Sequence, residues 1–144
     1  MNINQLNINN EAETTIQTSF GDFKCLNYIP ADKFGDILVD SVTPLFYREQ
    51  GNNTVAVDIL QPPKTGERYI LAHKDVYFVI SLVKNLTNIE VDDGADINGV
   101  YNKIVSNEID RAVINNLGAH YHKLRWIVDT TIESRIEQIN KLKK

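Results

Sequence analysis

ILAHKDVYFVISLVKNLTNI, residues 70–89, is the densest apolar stretch of the chain: Val76, Tyr77, Phe78, Val79, Ile80, Leu82, Val83, Leu86 and Ile89 leave no clean period that separates a buried strand from a buried helix. Length decides. About twenty residues without Gly or Pro exceed the usual strand of about 4–8 residues. The stretch therefore reads as a central helix, apolar nearly all round and packed on several sides.

On its C-terminal side, Asp92, Asp93, Gly94 and Asp96 make a polar link into a second stripe, Ile97, Val100, Tyr101, Ile104 and Val105. The stripe breaks near Ser106, resumes as Ile109, Val113, Ile114 and Leu117, and stops at Gly118, a C-cap candidate. From Ala119 to Lys144 the apolar positions Leu124, Ile127, Val128, Ile132, Ile136, Ile139 and Leu142 predict one long amphipathic helix. Glu133, Arg135, Glu137, Lys141, Lys143 and Lys144 fall on its other face, and the terminal lysines complement the helix dipole. Beyond Ile132 the stripe is narrow, which leaves two readings open. Either Ile132, Ile136, Ile139 and Leu142 pack on another chain, or the helix lies on its own domain.

On the N-terminal side, Pro62, Pro63 and Gly66 close a long loop, 47–68, that starts at Tyr47 and includes Gly51, Asn52 and Asn53. Its one apolar alternation, Val55, Val57, Ile59, offers a short strand, and a loop of this length is often a contact surface. Before it, Asp32 is placed to cap a helix carrying Phe34, Ile37, Leu38 and Val42, which Pro44 is expected to end. Residues 14–29 read as a β-hairpin turning at Gly21-Asp22 in type II′ geometry. The first ten residues, MNINQLNINN, anchor only through Ile3, Leu6 and Ile8 and read as a flexible arm. The predicted fold is α+β: an arm at 1–10, then one domain at 11–144 with an N-terminal hairpin, and room for a third strand from the loop, on four or five helices. Its expected core is Tyr28, Phe34, Ile37, Leu38, Val76, Val79, Ile80, Val83, Tyr101, Ile104, Leu124 and Val128.

Composition bounds the function. The 144 residues, 42% hydrophobic and 24% charged, describe one ordinary domain, able to bury roughly 70% of the surface its unfolded chain exposes without a metal or disulfide. No apolar run approaches the roughly 18 residues of a membrane span. The N-terminus lacks the charged-then-apolar order of a secretory signal. With 15 basic and 19 acidic residues the chain is acidic, and nucleic acid repels it.

A search for chemistry finds no catalytic, cofactor or metal site. His120 and His122 are two apart, so a helix turns their imidazoles about 200° from each other, whereas helical zinc pairs sit four apart. Asp96, Asn98 and Gly99 match the middle of a calcium loop, yet Gly94 and Val105 occupy positions that need ligand oxygens, so the turn reads as a helix cap. Cys25, amid β-favouring apolar residues, reads as a buried core thiol. No phosphate-binding glycine loop or GxSxG elbow is present.

Three segments in order carry a resemblance: Phe23-Lys24-Cys25-Leu26-Asn27-Tyr28-Ile29-Pro30-Ala31-Asp32-Lys33, Asp75-Val76-Tyr77-Phe78 through Asn85-Leu86-Thr87-Asn88-Ile89, and Val100-Tyr101-Asn102-Lys103-Ile104-Val105-Ser106-Asn107. In pattern and order, across about two thirds of the chain, they resemble small structural and assembly proteins of tailed bacteriophages and prophages of low-GC Gram-positive bacteria. The arm before Glu11, the 47–67 insertion and the basic C-terminal helix depart from that group. The resemblance implies a non-enzymatic virion component of head, neck or tail. It would work through other phage structural proteins and copies of itself, in the virion or in the host cytoplasm during assembly. A soluble assembly chaperone or host-directed inhibitor, absent from the particle, is the alternative, and an enzyme is the third reading. The expected contact residues are Ile3, Leu6, Ile8, Tyr47, Val57, Ile59, Ile132, Ile136, Ile139 and Leu142.

Overall fold

In the computed structural model, which describes residues 1–7, 12–50, 53–56, 63–92 and 96–142, two hairpins alternate with helices. In chain order the elements are β1 (Glu13–Thr18), β2 (Gly21–Leu26), α1 (Ala31–Phe46), β3 (Tyr47–Gln50), β4 (Asn53–Ala56), α2 (Pro63–Leu86), α3 (Ile97–Ser106), α4 (Ile109–Leu117) and α5 (Ala119–Leu142). A short 3-10 turn, Ile3–Gln5, precedes them, held by a reciprocal cap between Asn2 and Gln5. The expected hairpin on four or five helices, the last one long, is the architecture observed, with five helices.

The first hairpin turns two residues earlier than its sequence suggests. Thr18 pairs with Gly21, so Ser19 and Phe20 form the tip, and Gly21 takes a φ of 138°, which a side chain would strain. The Thr18 hydroxyl donates to the Gly21 carbonyl across that turn. The resulting register puts Ile16 opposite Phe23 and Thr14 opposite Cys25. Phe23 and Cys25 are thereby buried, while Phe20, left at the tip, is half exposed at 52%. Burial of the β2 side chains selects this register over the one that Gly21-Asp22 favours locally.

From Lys24 to Leu26 the outer edge of β2 is covered by the rest of the molecule. The Asn88 amide donates to the Lys24 carbonyl (3.1 Å), the Asn88 side-chain carbonyl accepts from the Lys24 amide (2.7 Å), and Asn116 Nδ2 donates to the Leu26 carbonyl (3.0 Å). Thr87 is bridged to Cys25 at the same place. Three hydrogen bonds to side and main chain thus anchor the hairpin to the C-terminal end of α2 and to α4.

The chain leaves β2 through Pro30, whose carbonyl accepts from Phe34 to open α1. Asp32 lies in the first turn, where its charge faces the helix N-terminus, and is not the cap. Pro44 does not end α1. The helix carries it and runs on to Phe46, because Leu45 and Phe46 are buried by doing so. Beyond it the expected loop holds the β3–β4 hairpin, with Tyr47 opposite Ala56, as a separate two-stranded sheet, not a third strand of the first. Pro63 then starts α2 at the first helical position, where a missing amide is harmless.

Helix α2 is the centre. Phe78, Leu82, Val83 and Leu86 are at most 1% exposed, each contributing about 1.5–3 kcal/mol by burial. It packs on α1, α3 and α4. Ser41 on α1 and Ser81 on α2 are both buried, small residues that suit close approach of the two helices. Thr87 ends it by turning its hydroxyl back to the Val83 carbonyl. Asp96 caps α3 by accepting from the Asn98 amide (3.3 Å), and Glu108, at φ 58°, marks the break before α4. Gly118 closes α4 at φ 55° with its amide on the Ile114 carbonyl.

Of the expected core, Ile37, Val76, Val79, Val83, Ile104, Leu124 and Val128 are buried, and Phe34, Leu38, Ile80 and Tyr101 pack against them half-buried. Tyr28 is half-buried. Phe46, Ile109, Val113 and Leu117 join them in the core. No helix among the described residues is long and apolar enough to cross a membrane.

Candidate functional site

Helix α5 has an inner face fixed by two arginines and an outer face turned to solvent. Near its start, Arg125 pairs with Asp75 on α2 (2.5 Å) and with Asp129 one turn on (3.2 Å), and its guanidinium lies over the Phe78 ring at 4.9 Å. Burial works to lower the basicity of Arg125, and the two carboxylates overcome it, so its pKa is raised. Further along, Arg135 Nη2 donates to the Tyr47 hydroxyl (2.6 Å) and sits about 6 Å from both the Phe46 and Tyr47 rings (5.9 and 5.8 Å). Tyr121 meets Phe78 with ring centroids 6.0 Å apart. These contacts set α5 against α2 and the end of α1.

The outer face carries Trp126, 68% exposed, beside a groove of about 420 Å³ formed by Ile127, Thr130, Thr131, Ser134, Arg135 and Gln138. The spacing explains it. Leu124 and Val128 are buried, and Trp126, two positions from each, points about 200° away from that stripe. The sequence contains one tryptophan, and its exposure follows from a spacing that assigns the core face; the signal was legible, and the expected contact residues omit it.

The described residues expected to make contacts fall in different places. Ile3 and Leu6 are exposed at 75% and 54% in the N-terminal segment. Tyr47 is partly exposed and bound by Arg135. Ile132 is a correction: at 3% exposed it belongs to the chain's own core. Ile136 and Ile139 pack half-buried against the same core, so the second of the two readings of the terminal helix describes it. Leu142 ends α5, and Ile8, Val57 and Ile59 lie outside the described residues. Among the described residues these positions do not form one patch, and of them Tyr47 is joined to the α5 groove, through Arg135.

His120 and His122 are exposed on the first turn of α5, with the Tyr121 ring edge-on to His122 at 5.3 Å. Among the described residues no three His, Cys, Asp or Glu side chains come together in metal-binding range. Of the calcium-like stretch, Gly94 lies outside the described residues, and Asp96 is engaged as the α3 cap. Cys25 is wholly buried, and burial pushes its thiol pKa up against a smaller opposing pull from Asn116. A thiol so placed is a poor nucleophile. A polar cleft of about 470 Å³ between the hairpin and α2 brings together Lys24, Lys33 and Lys84, with Glu13 at the same cleft. No family model, curated protein or solved structure matches the chain.

Proposed function

We propose that this chain is a non-enzymatic structural or assembly protein of a tailed bacteriophage, acting by protein–protein contact in the virion. The observation that carries the reading is Trp126: a large aromatic side chain 68% exposed beside a groove, on a helix whose opposite face packs on the core. Tryptophan is enriched among the anchor residues of protein interfaces, and holding it in water has a cost that a partner removes. The three segments that resemble phage structural proteins support the same reading, since β2 with the start of α1, the second half of α2, and α3 are their places in this fold. The exposed Ile3 and Leu6 add apolar surface of the same kind.

Mass spectrometry of purified particles made from a genome encoding this chain tests it. The expected result is the chain at stoichiometric level, lost from particles when Trp126→Ala replaces the wild type. Its absence from particles, with the chain present in the infected-cell lysate, overturns the virion assignment in favour of a soluble chaperone or inhibitor. A metal or nucleotide released from the purified protein on denaturation overturns the non-enzymatic part.

A further inference from the structure

We infer that two copies of this chain pair antiparallel along the outer edge of β1, joining their hairpins into one sheet about a two-fold axis at Thr15. The hairpin's own register shows which backbone groups are spent within it. Asn27 donates to the Ala12 carbonyl (2.6 Å), so 12 and 27 are a hydrogen-bonded pair. By alternation Thr14 with Cys25, Ile16 with Phe23 and Thr18 with Gly21 are too. Glu13, Thr15 and Gln17 therefore turn their N–H and C=O groups away from β2.

The two edges are treated differently. On β2 the outward groups of Lys24 and the outward carbonyl of Leu26 are taken by Asn88 and Asn116. On β1 the outward backbone groups of Glu13, Thr15 and Gln17 have no hydrogen-bond partner among the described residues, and all three side chains are exposed. Edges of this kind are commonly blunted by lysine, proline or a bulge, and Glu13–Thr18 contains none of them.

A second β1 fits this edge because the strand is complementary to its own reverse. Turned about Thr15, Glu13 faces Gln17 of the other copy, Thr15 faces Thr15, and Thr14 faces Ile16 on the side where Ile16 is half-buried. No like charges meet, Thr–Thr pairs are favourable across strands, and each outward residue exchanges both its hydrogen bonds with the one opposite. The pairing is isologous and closes on itself.

This inference rests on the contact-protein reading and names one of its contacts, while its test is independent of particles. Sedimentation of the full-length chain over a concentration series should give twice the 16.4 kDa chain mass. Thr15→Lys sets two ammonium groups against each other at the axis, and Thr15→Pro removes one outward amide. Both should return 16.4 kDa with the helical circular dichroism unchanged, whereas Trp126→Ala should leave the dimer intact. Thr15→Cys should form a disulfide-linked dimer on mild oxidation, since facing Cα atoms about 5.5 Å apart suit the bond. A wild type monomeric throughout, a dimer that the Thr15 variants keep and Trp126→Ala abolishes, or a folded Thr15→Cys that never crosslinks would each overturn the pairing. A monomer with normal incorporation into particles would overturn the pairing alone.

Discussion

Ser41 is wholly buried where α1 packs on α2, and its hydroxyl is without a hydrogen-bond partner among the described residues, although Asn85 bonds to Ser81 and reaches toward Asp40 nearby. A desolvated, unpaired hydroxyl costs about 1–3 kcal/mol, and removing it leaves little void. Ser41→Ala is thus expected to raise the stability of the folded chain by about 1 kcal/mol. In urea unfolding the midpoint should rise at constant slope, and a loss of stability would mean that the hydroxyl has a partner in solution. At this same scale the sequence was readable where a residue has one dominant preference: Gly118 as a C-cap, the turn holding Asp96 as a helix cap and Cys25 as a core thiol all follow from local chemistry. It misled where tertiary burial outweighs a local rule. Pro44 sits inside α1 because Leu45 and Phe46 are buried beyond it, and Gly21 lies just past the hairpin tip because Phe23 and Cys25 need the inner face.

At the scale of elements, the outer half of α5 shows how far periodicity carries. Its stripe was legible, but a stripe reports that a face is covered and not by which chain. The structure supplies the answer in Ile136, Ile139 and the Arg135–Tyr47 hydrogen bond, all made to the same molecule. Deleting residues 135–144 should therefore lower stability by about 2–3 kcal/mol, from two half-buried aliphatic side chains and one charge-assisted hydrogen bond. Chemical denaturation of the truncated chain measures this. Unchanged stability would show that the segment is a detachable extension. The β3–β4 hairpin was only half legible, since Val55 lies in β4 while the proposed continuation through Val57 and Ile59 falls outside the described residues.

For the whole molecule, Cys25 joins the layers: it lies on β2, bridges to Thr87 beyond α2, and belongs to a core cluster that also holds side chains of α1, α2, α3, α4 and α5. Exposing it should require the cluster as a whole to open. Labelling of the native thiol is then expected to proceed at the rate of global unfolding, with the same free energy that denaturant gives. Labelling much faster than this would mean that the first hairpin opens by itself. The candidate site was less legible than the fold for a related reason. Amphipathic spacing locates what is inside, and Trp126 follows from it by subtraction, but the groove beside it and the open strand edge exist only once α5 and the hairpin are placed.

Asn88 and Asn116 cover Lys24 and the Leu26 carbonyl on one side of the first sheet, and this asymmetry limits how the sheet can grow. A strand joining at β1 uses the edge that remains, and when that strand is another β1 it brings its own closed side outward. Growth then stops at two. Two asparagines act as chain terminators, and the sheet is kept from propagating hairpin by hairpin into a filament.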